Sequence, residues 1–135
     1  LFRIIREHQV NGVVILSGDV HMAMLMKHPC SKKKVGYPLY ELTSSGMTHT
    51  AKKHIPRIVE FKDYMYPTTY YAGAKIFMDY NYATVDIEFW GDVAQLAMRV
   101  RNEHGEVVIE QFLKNTELRS NGNFDEGYCI TDDKG

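Results

Sequence analysis

Residues 12–21 read GVVILSGDVH, four aliphatic residues in a row followed at once by small residues, an aspartate and a histidine. The unbroken run from Val13 to Leu16 predicts a β-strand covered on both faces, because a half-exposed strand would alternate apolar and polar side chains. Ligands of open α/β sheets bind beyond the carboxyl ends of the strands. The sequence therefore places Asp19 and His21 where a functional site is expected.

An amphipathic helix precedes this strand. Phe2, Ile5 and Gln9 fall at helical spacing among charged residues and predict one buried stripe. Asn11 and Gly12 favour a helix stop, since both tolerate the left-handed conformation. A helix, a short turn and a buried strand together indicate an α/β fold. Because the helix is already under way at the first residue, we expect the chain to be part of a longer polypeptide.

The segment after His21 contains a second apolar run and a polar loop. Residues 22–26 are rich in methionine, and their length leaves a short strand and a buried helical turn both open. We interpret these methionines as core packing. Residues 27–36 predict a polar loop whose lysines are solvated and have no functional role. Residues 37–43 predict a second strand, followed by a turn over residues 44–50.

The last third of the chain predicts an antiparallel meander. Apolar and polar residues alternate over 83–89 and again over 94–100, and residues 107–113 supply a third strand. The tyrosine-rich stretch before them predicts an irregular excursion rather than a long helix. We expect one domain over residues 1–115 and a polar, loosely ordered tail over residues 116–135.

Charge and composition exclude some classes of partner. The chain has 16 basic and 17 acidic residues and a net charge of -1, so no global field indicates nucleic-acid binding or attraction to an anionic membrane. No apolar run approaches the roughly 20 residues needed to span a bilayer. Cys30 and Cys129 are too far apart in sequence to be interpreted as a disulfide framework, so the redox compartment stays open.

Asp19 and His21 form a pair of potential metal ligands. Divalent cations and iron accept carboxylate oxygen and imidazole nitrogen together, and Gly18 permits the turn that would let both side chains face one point. A D-x-H triplet alone is a weak signal, and its alternative is an aspartate turn beside a surface histidine. The position directly after a predicted buried strand favours the metal site.

The remaining candidate side chains have simpler interpretations. We predict solvated surface positions for the other four histidines, which are His8, His28, His54 and His104. Ser17 does not fit a nucleophile, because the G-x-S-x-G pattern is absent.

Three segments in order resemble one enzyme family. Residues 12–23, with their Gly-Asp-x-His core, resemble the corresponding segment of PhoD-like (alkaline phosphatase D) metallophosphatases, within the calcineurin-like metallophosphoesterase superfamily. Residues 37–49, YPLYELTSSGMTH, are similar to the next signature of the family. Residues 81–83 resemble its Asn-aromatic-Gly turn, except that Ala83 replaces the glycine. The resemblance implies the C-terminal half of a β-sandwich flanked by helices and ending in the meander.

The resemblance also implies a function. Two metal ions, with iron, calcium, zinc and manganese as candidates, would hydrolyse phosphate monoesters or diesters. Asp19 would bind one ion and His21 the other, whereas His49 would be an outer-shell or substrate-contacting residue. The family's remaining ligands come from an N-terminal half, which would be this chain's partner. The chain alone should therefore bind metal weakly and be inactive.

Members of the resembled family are often exported, but the sequence gives no localisation for this chain. The alternative to an enzyme is a non-catalytic fragment or degenerate homologue that acts as a structural or interaction module.

Overall fold

A computed structural model describes residues 1–28, 30–53 and 75–124. These residues form an α/β structure that is mostly β-sheet. The helices and strands, in chain order, are α1 (Phe2–Glu7), β1 (Val14–Ser17), β2 (Ala23–Lys27), α2 (Ser31–Val35), β3 (Tyr40–Ser44), β4 (Lys75–Phe77), β5 (Asn81–Trp90), β6 (Val93–Asn102) and β7 (Val107–Lys114). Two short 3-10 helices span Ala51–Lys53 and Asn115–Leu118.

The first sheet has the strand order β1-β3-β2-β4. Strands β1 and β3 are parallel, and β2 is antiparallel to both β3 and β4. The C-terminal ends of β1, β3 and β4 therefore lie at the same edge as the start of β2. We call the three loops at this edge, residues 18–22, 45–50 and 78–80, the site edge.

The second sheet is the predicted antiparallel meander, β5-β6-β7. Its register is continuous from Asn81 opposite Asn102 to Trp90 opposite Val93, and one bulge interrupts the pairing of β6 with β7. Each observed strand contains the predicted range and extends beyond it. The meander is thus confirmed.

The main core lies between the two sheets, and β2 is covered on both faces. Side chains alternate along a strand, so Ala23 and Leu25 join the main core while the methionines of β2 point the other way. Those methionines form a second cluster, which confirms their predicted packing role: Met22, Met24, Met26, Ala51 and Met78. The main core joins side chains of the helices and both sheets: Ile5, Val35, Tyr37, Leu42, Met98, Val100, Ile109 and Leu113.

The predicted burial of β1 is wrong. Leu16 is 64% exposed, and Ser17 is exposed as well. The physical reason is position: β1 is an edge strand of its sheet in the described part of the chain, whereas β2 is central. The aliphatic run correctly indicated a strand, but the fully covered strand is β2.

Helix α1 is shorter than its pattern suggests. Ile5 is buried in the core, but the helix ends at Glu7, before the predicted stop. Gln9 has a positive φ of 51° and is exposed, so it does not belong to the buried stripe.

One α-helix and one strand were not predicted. The segment expected to be a polar loop contains α2, which is bracketed by left-handed Cys30 and Gly36 and packs through the buried side chain of Val35. Strand β4 follows a stretch, residues 54–74, that lies outside the described residues together with its predicted irregular excursion.

The structure also differs from the predicted turn over residues 81–83 and from the predicted domain boundary at residue 115. Residues 81–83, expected to form a turn, lie in β5. Leu118, three residues past the predicted domain boundary, is buried in the main core, and residues 125–135 lie outside the described part. Within the described ranges, no helix has the length and apolar character needed to cross a bilayer.

Candidate functional site

The site edge brings the predicted site residues together. Asp19 and His21 lie in the loop from β1 to β2, and His49 lies in the loop after β3. The backbone joins the two loops directly, because the Ala51 amide donates to the His21 carbonyl at 2.7 Å and the Ser45 amide donates to the Met22 carbonyl at 3.2 Å. The parallel pairing of β1 with β3 is what aligns these loops.

Asp19 and His21 both have left-handed backbones. Their φ angles are 67° and 56°, in a region that residues other than glycine seldom occupy, although Asp and His do so more often than most. Such residues cost about 1–3 kcal/mol each where the conformation is sparsely populated, and they persist only where surrounding contacts hold them. Two of them within three residues mark this loop as strained.

Ser45 supplies contacts that hold the loop. Its hydroxyl oxygen accepts hydrogen bonds from the amides of Val20, at 3.0 Å, and His21, at 2.9 Å. Gly18 passes close to the same serine: a Cβ built there would lie 3.5 Å from the Ser45 Cβ. The loop from β1 to β2 therefore packs against Ser45, which directly follows β3, and forms hydrogen bonds with it.

His21 and His49 stack on one another. Their ring centroids are 5.6 Å apart and the ring planes are inclined by 29°. The Thr48 hydroxyl lies 3.0 Å from Nδ1 of His49, which occupies one nitrogen of that ring. Both histidines and Asp19 are exposed, so all three side chains are accessible from solvent.

Asn81 connects the site edge to the second sheet. Its buried side-chain oxygen accepts from the Ser44 hydroxyl at 2.9 Å and from the Gly46 amide at 3.4 Å. Its own amide donates to the Gly46 carbonyl at 3.1 Å, and its Nδ2 donates to the Asp79 carbonyl at 2.7 Å. A Cβ at Gly46 would overlap the Asn81 side chain, so this approach requires glycine.

A polar network beneath the site edge was missed by the sequence analysis. The Ser17 hydroxyl donates to Oε1 of Glu41 at 2.6 Å and lies 2.7 Å from the Thr43 hydroxyl. Nε2 of His28 lies 2.8 Å from Oε2 of Glu41, and both side chains are largely buried. The prediction of a solvated His28 is therefore wrong, because β3 presents a carboxylate to it.

Two features flank the site edge. The Lys52 ammonium donates to the Asp79 carboxylate, and this bond raises the pKa of Lys52. An open cavity of about 340 Å³ adjoins the loop that carries His49, and it is lined by Met47, Tyr80, Asn81, Tyr82 and Glu103. Neither feature was expected from the sequence, and His54 lies outside the described residues.

The donor types at the site edge fit a divalent cation, but their number is insufficient. One carboxylate and neighbouring imidazoles are suitable ligands for iron, zinc or manganese. Among residues 1–28, 30–53 and 75–124, no three His, Cys, Asp or Glu side chains are grouped closely enough to hold a metal ion. These residues thus provide part of a coordination sphere at most.

No protein-family model, curated protein or solved structure matches the chain. The resemblance to PhoD-like metallophosphatases therefore stays a prediction.

Proposed function

We propose that this chain contributes Asp19 and His21 to a binuclear metal centre that hydrolyses phosphate monoesters or diesters. One observation carries the proposal: a carboxylate and an imidazole are held by strained, left-handed backbone at an edge where two parallel strands end. Strained residues cluster at functional sites. The carboxyl ends of strands are also where α/β sheets bind ligands.

Each side chain has a distinct part in the proposed centre. Asp19 would offer an oxygen to one ion, and His21 would offer a nitrogen to the other. When bound, the ions would supply Lewis-acid chemistry that activates water and polarises the phosphoryl group. His49 packs against His21 and limits its rotation, since the two rings are stacked. With Nδ1 of His49 beside the Thr48 hydroxyl, Nε2 is the nitrogen left to donate to a phosphate oxygen.

The cavity lined by Met47, two residues before His49 in the same loop, suits the organic part of an ester. Met47 and two tyrosines provide apolar surface, whereas Glu103 is a hydrogen-bond acceptor. An apolar lining with few polar groups is typical of small-molecule sites. The cavity therefore supports a substrate with an organic leaving group rather than inorganic phosphate alone.

Exposed apolar side chains support a partner that completes the fold, which we propose to be an N-terminal part of the same protein. Ile87 and Phe89 continue the face of β5 whose earlier residues, Ala83 and Val85, pack on the core. They are nevertheless 52% and 73% exposed, and Leu16 on the edge strand is 64% exposed. An apolar strand face that continues beyond the core, as Ile87 and Phe89 do, supports an interaction site.

The same surface favours a second candidate function, a non-catalytic interaction module. In that case Asp19 and His21 would bind no metal, and the exposed apolar residues would be the functional surface. The incomplete ligand set of the described residues also fits this alternative. The two candidates differ in metal content and turnover.

The test compares Asp19→Ala and His21→Ala with the wild type in the full-length protein. We expect either substitution to lower metal content and hydrolysis of p-nitrophenyl phosphate or bis-p-nitrophenyl phosphate by roughly 100-fold or more, since loss of even an outer-shell partner costs about 10–100-fold. Thermal unfolding should change little, because both side chains are exposed and contribute little to the core.

His8→Ala is the matched control. His8 is an exposed histidine at the end of α1, and the whole of β1 separates it from the site edge. Full activity in this variant, with loss in the other two, supports the metal centre. Full activity in Asp19→Ala or His21→Ala contradicts it, and a wild type that holds no metal and hydrolyses neither ester favours the interaction module.

A further inference from the structure

We propose that Ser45 is a positioning residue that holds the loop of Asp19 and His21 in its metal-binding conformation. This inference rests on the proposed metal centre and assigns a task to a side chain that does not itself bind metal.

The loop requires an external acceptor. Left-handed residues on both sides of Val20 turn two successive amides, those of Val20 and His21, toward a single oxygen. Successive amides in such conformations form a concave group of donors that favours an electronegative atom. A hydroxyl oxygen has two lone pairs, so the two amides fill the acceptor capacity of Ser45.

Ser45 is itself fixed on both sides. Its amide donates to the Met22 carbonyl, so the serine bonds the loop at two separate points. Its neighbours Ser44 and Gly46 are bound by the buried side chain of Asn81. Ser45 thus holds the loop of Asp19 and His21 in a fixed position relative to the sheet.

Without the hydroxyl, the loop loses the contacts that offset its strain. The amides of Val20 and His21 would then have only water as a hydrogen-bond acceptor. Asp19 and His21 would be free to relax toward more populated backbone conformations. The carboxylate and imidazole would remain present but would no longer be pre-oriented. Ser45→Ala should therefore weaken metal binding through the loop, not through loss of a ligand.

The experiment measures two quantities in the full-length protein: amide hydrogen exchange by NMR, and Mn²⁺ affinity from the electron paramagnetic resonance signal of the free ion. In Ser45→Ala we expect exchange at Val20 and His21 to rise about 3–10-fold, the range for loss of one hydrogen bond. Mn²⁺ binding should weaken about 10–100-fold, as for other residues that orient metal ligands.

Ser120→Ala is the matched control, because the Ser120 hydroxyl also accepts a hydrogen bond from a backbone amide, that of Gly122, and Ser120 lies beside the turn before β1 rather than at the site edge. It should leave exchange at Val20 and His21 and the Mn²⁺ affinity unchanged. Ser45→Cys is a second variant. It keeps nearly the native side-chain size, but its thiol is only a weak hydrogen-bond acceptor. It should change both quantities in the same direction as Ser45→Ala, while slow exchange within β5, β6 and β7 verifies the fold.

The outcomes separate the inference from the function on which it rests. Unchanged exchange at Val20 and His21 overturns the inference. Faster exchange with unchanged Mn²⁺ affinity also overturns it, because the hydroxyl would then stabilise the loop without positioning a ligand. A wild type that does not bind Mn²⁺ contradicts the proposed metal centre itself, and the inference fails with it.

Discussion

Left-handed backbone positions occur in the loops of both sheets, but different residue types occupy them. In the turns of the meander, the left-handed positions belong to Gly91 and Gly105, with φ angles of 59° and 82°. At the site edge, they belong to Asp19 and His21. Glycine adopts this conformation without steric cost, whereas other residues do not. The left-handed positions therefore carry a carboxylate and an imidazole at the site edge, whereas they carry no side chain in the meander turns.

The contacts around these positions differ as well. The turn between β6 and β7 is closed locally, since the side-chain oxygen of Asn102 accepts from the amides of His104 and Glu106. At the site edge, Ser45 bonds residues more than twenty positions earlier in the chain. The meander turn is thus self-contained, and the site edge depends on tertiary structure.

The largest expected effect comes from adding one methyl group at the site edge. Gly46→Ala places a Cβ against the Asn81 side chain and 3.1 Å from the Asp79 carbonyl. We expect the free energy of unfolding to fall by about 3 kcal/mol, the upper range for overpacking. Urea denaturation measures this loss.

Gly91→Ala is the control in the meander. Nothing lies within 4 Å of a Cβ built at Gly91, so only the backbone strain at its φ of 59° remains. That strain should cost about 1 kcal/mol. An equal or larger loss in Gly91→Ala than in Gly46→Ala would remove the distinction between a packed edge and an open turn.

An intermediate effect is expected from a long-range bond of the first sheet. The hydroxyl of the buried Tyr37 donates to the Val10 carbonyl at 2.7 Å and joins the segment before β3 to the turn before β1. Tyr37→Phe should lower the free energy of unfolding by about 1 kcal/mol. Tyr82→Phe, at an exposed position of the meander, should change it little.

The hydrogen bond of Tyr37 also makes the stability of the protein depend on pH. Burial raises the pKa of Tyr37 above its ordinary value of 10.0. A raised folded-state pKa means that the stabilisation is complete below pH 10.0 and is lost as pH rises through the folded-state pKa. The difference in stability between wild type and Tyr37→Phe should therefore shrink above pH 10.0. A difference that grows there would contradict the burial of the neutral phenol.

The smallest effect has the opposite sign. Asp19→Gly and His21→Gly relieve left-handed strain and should raise the free energy of unfolding by about 0.5–1 kcal/mol, after allowance for the greater freedom of glycine in the unfolded chain. The same variants should lose metal binding. Destabilisation by either glycine would show that the two backbones are not strained and would weaken the comparison of the two sheets.

The meander was predictable because short stretches of sequence are enough to define its strands and turns. A period-two pattern and turn residues defined β5, β6 and β7 before any tertiary contact was known. The burial of β1 was not predictable, because it depends on which strands lie beside it. Helix α2 was missed since it is one turn long and follows a left-handed cysteine, which is not a recognised start signal.

The candidate site was predictable only in its most exposed members. Asp19, His21 and His49 stood out from motif and position, and the structure brings the two histidines into contact. The roles of Ser45, Asn81 and Glu41 depend on the parallel pairing of β1 with β3 and on contact between sheets. Nothing in the local sequence specifies those neighbours.

Anomalous diffraction from crystals of the full-length protein grown with Zn²⁺ tests the metal centre most directly. We predict two zinc peaks, one bonded to an Asp19 oxygen and the other to a His21 nitrogen, each at about 2.0–2.2 Å. Peaks bonded to other residues, with none at either Asp19 or His21, would contradict the assignment of these side chains as metal ligands.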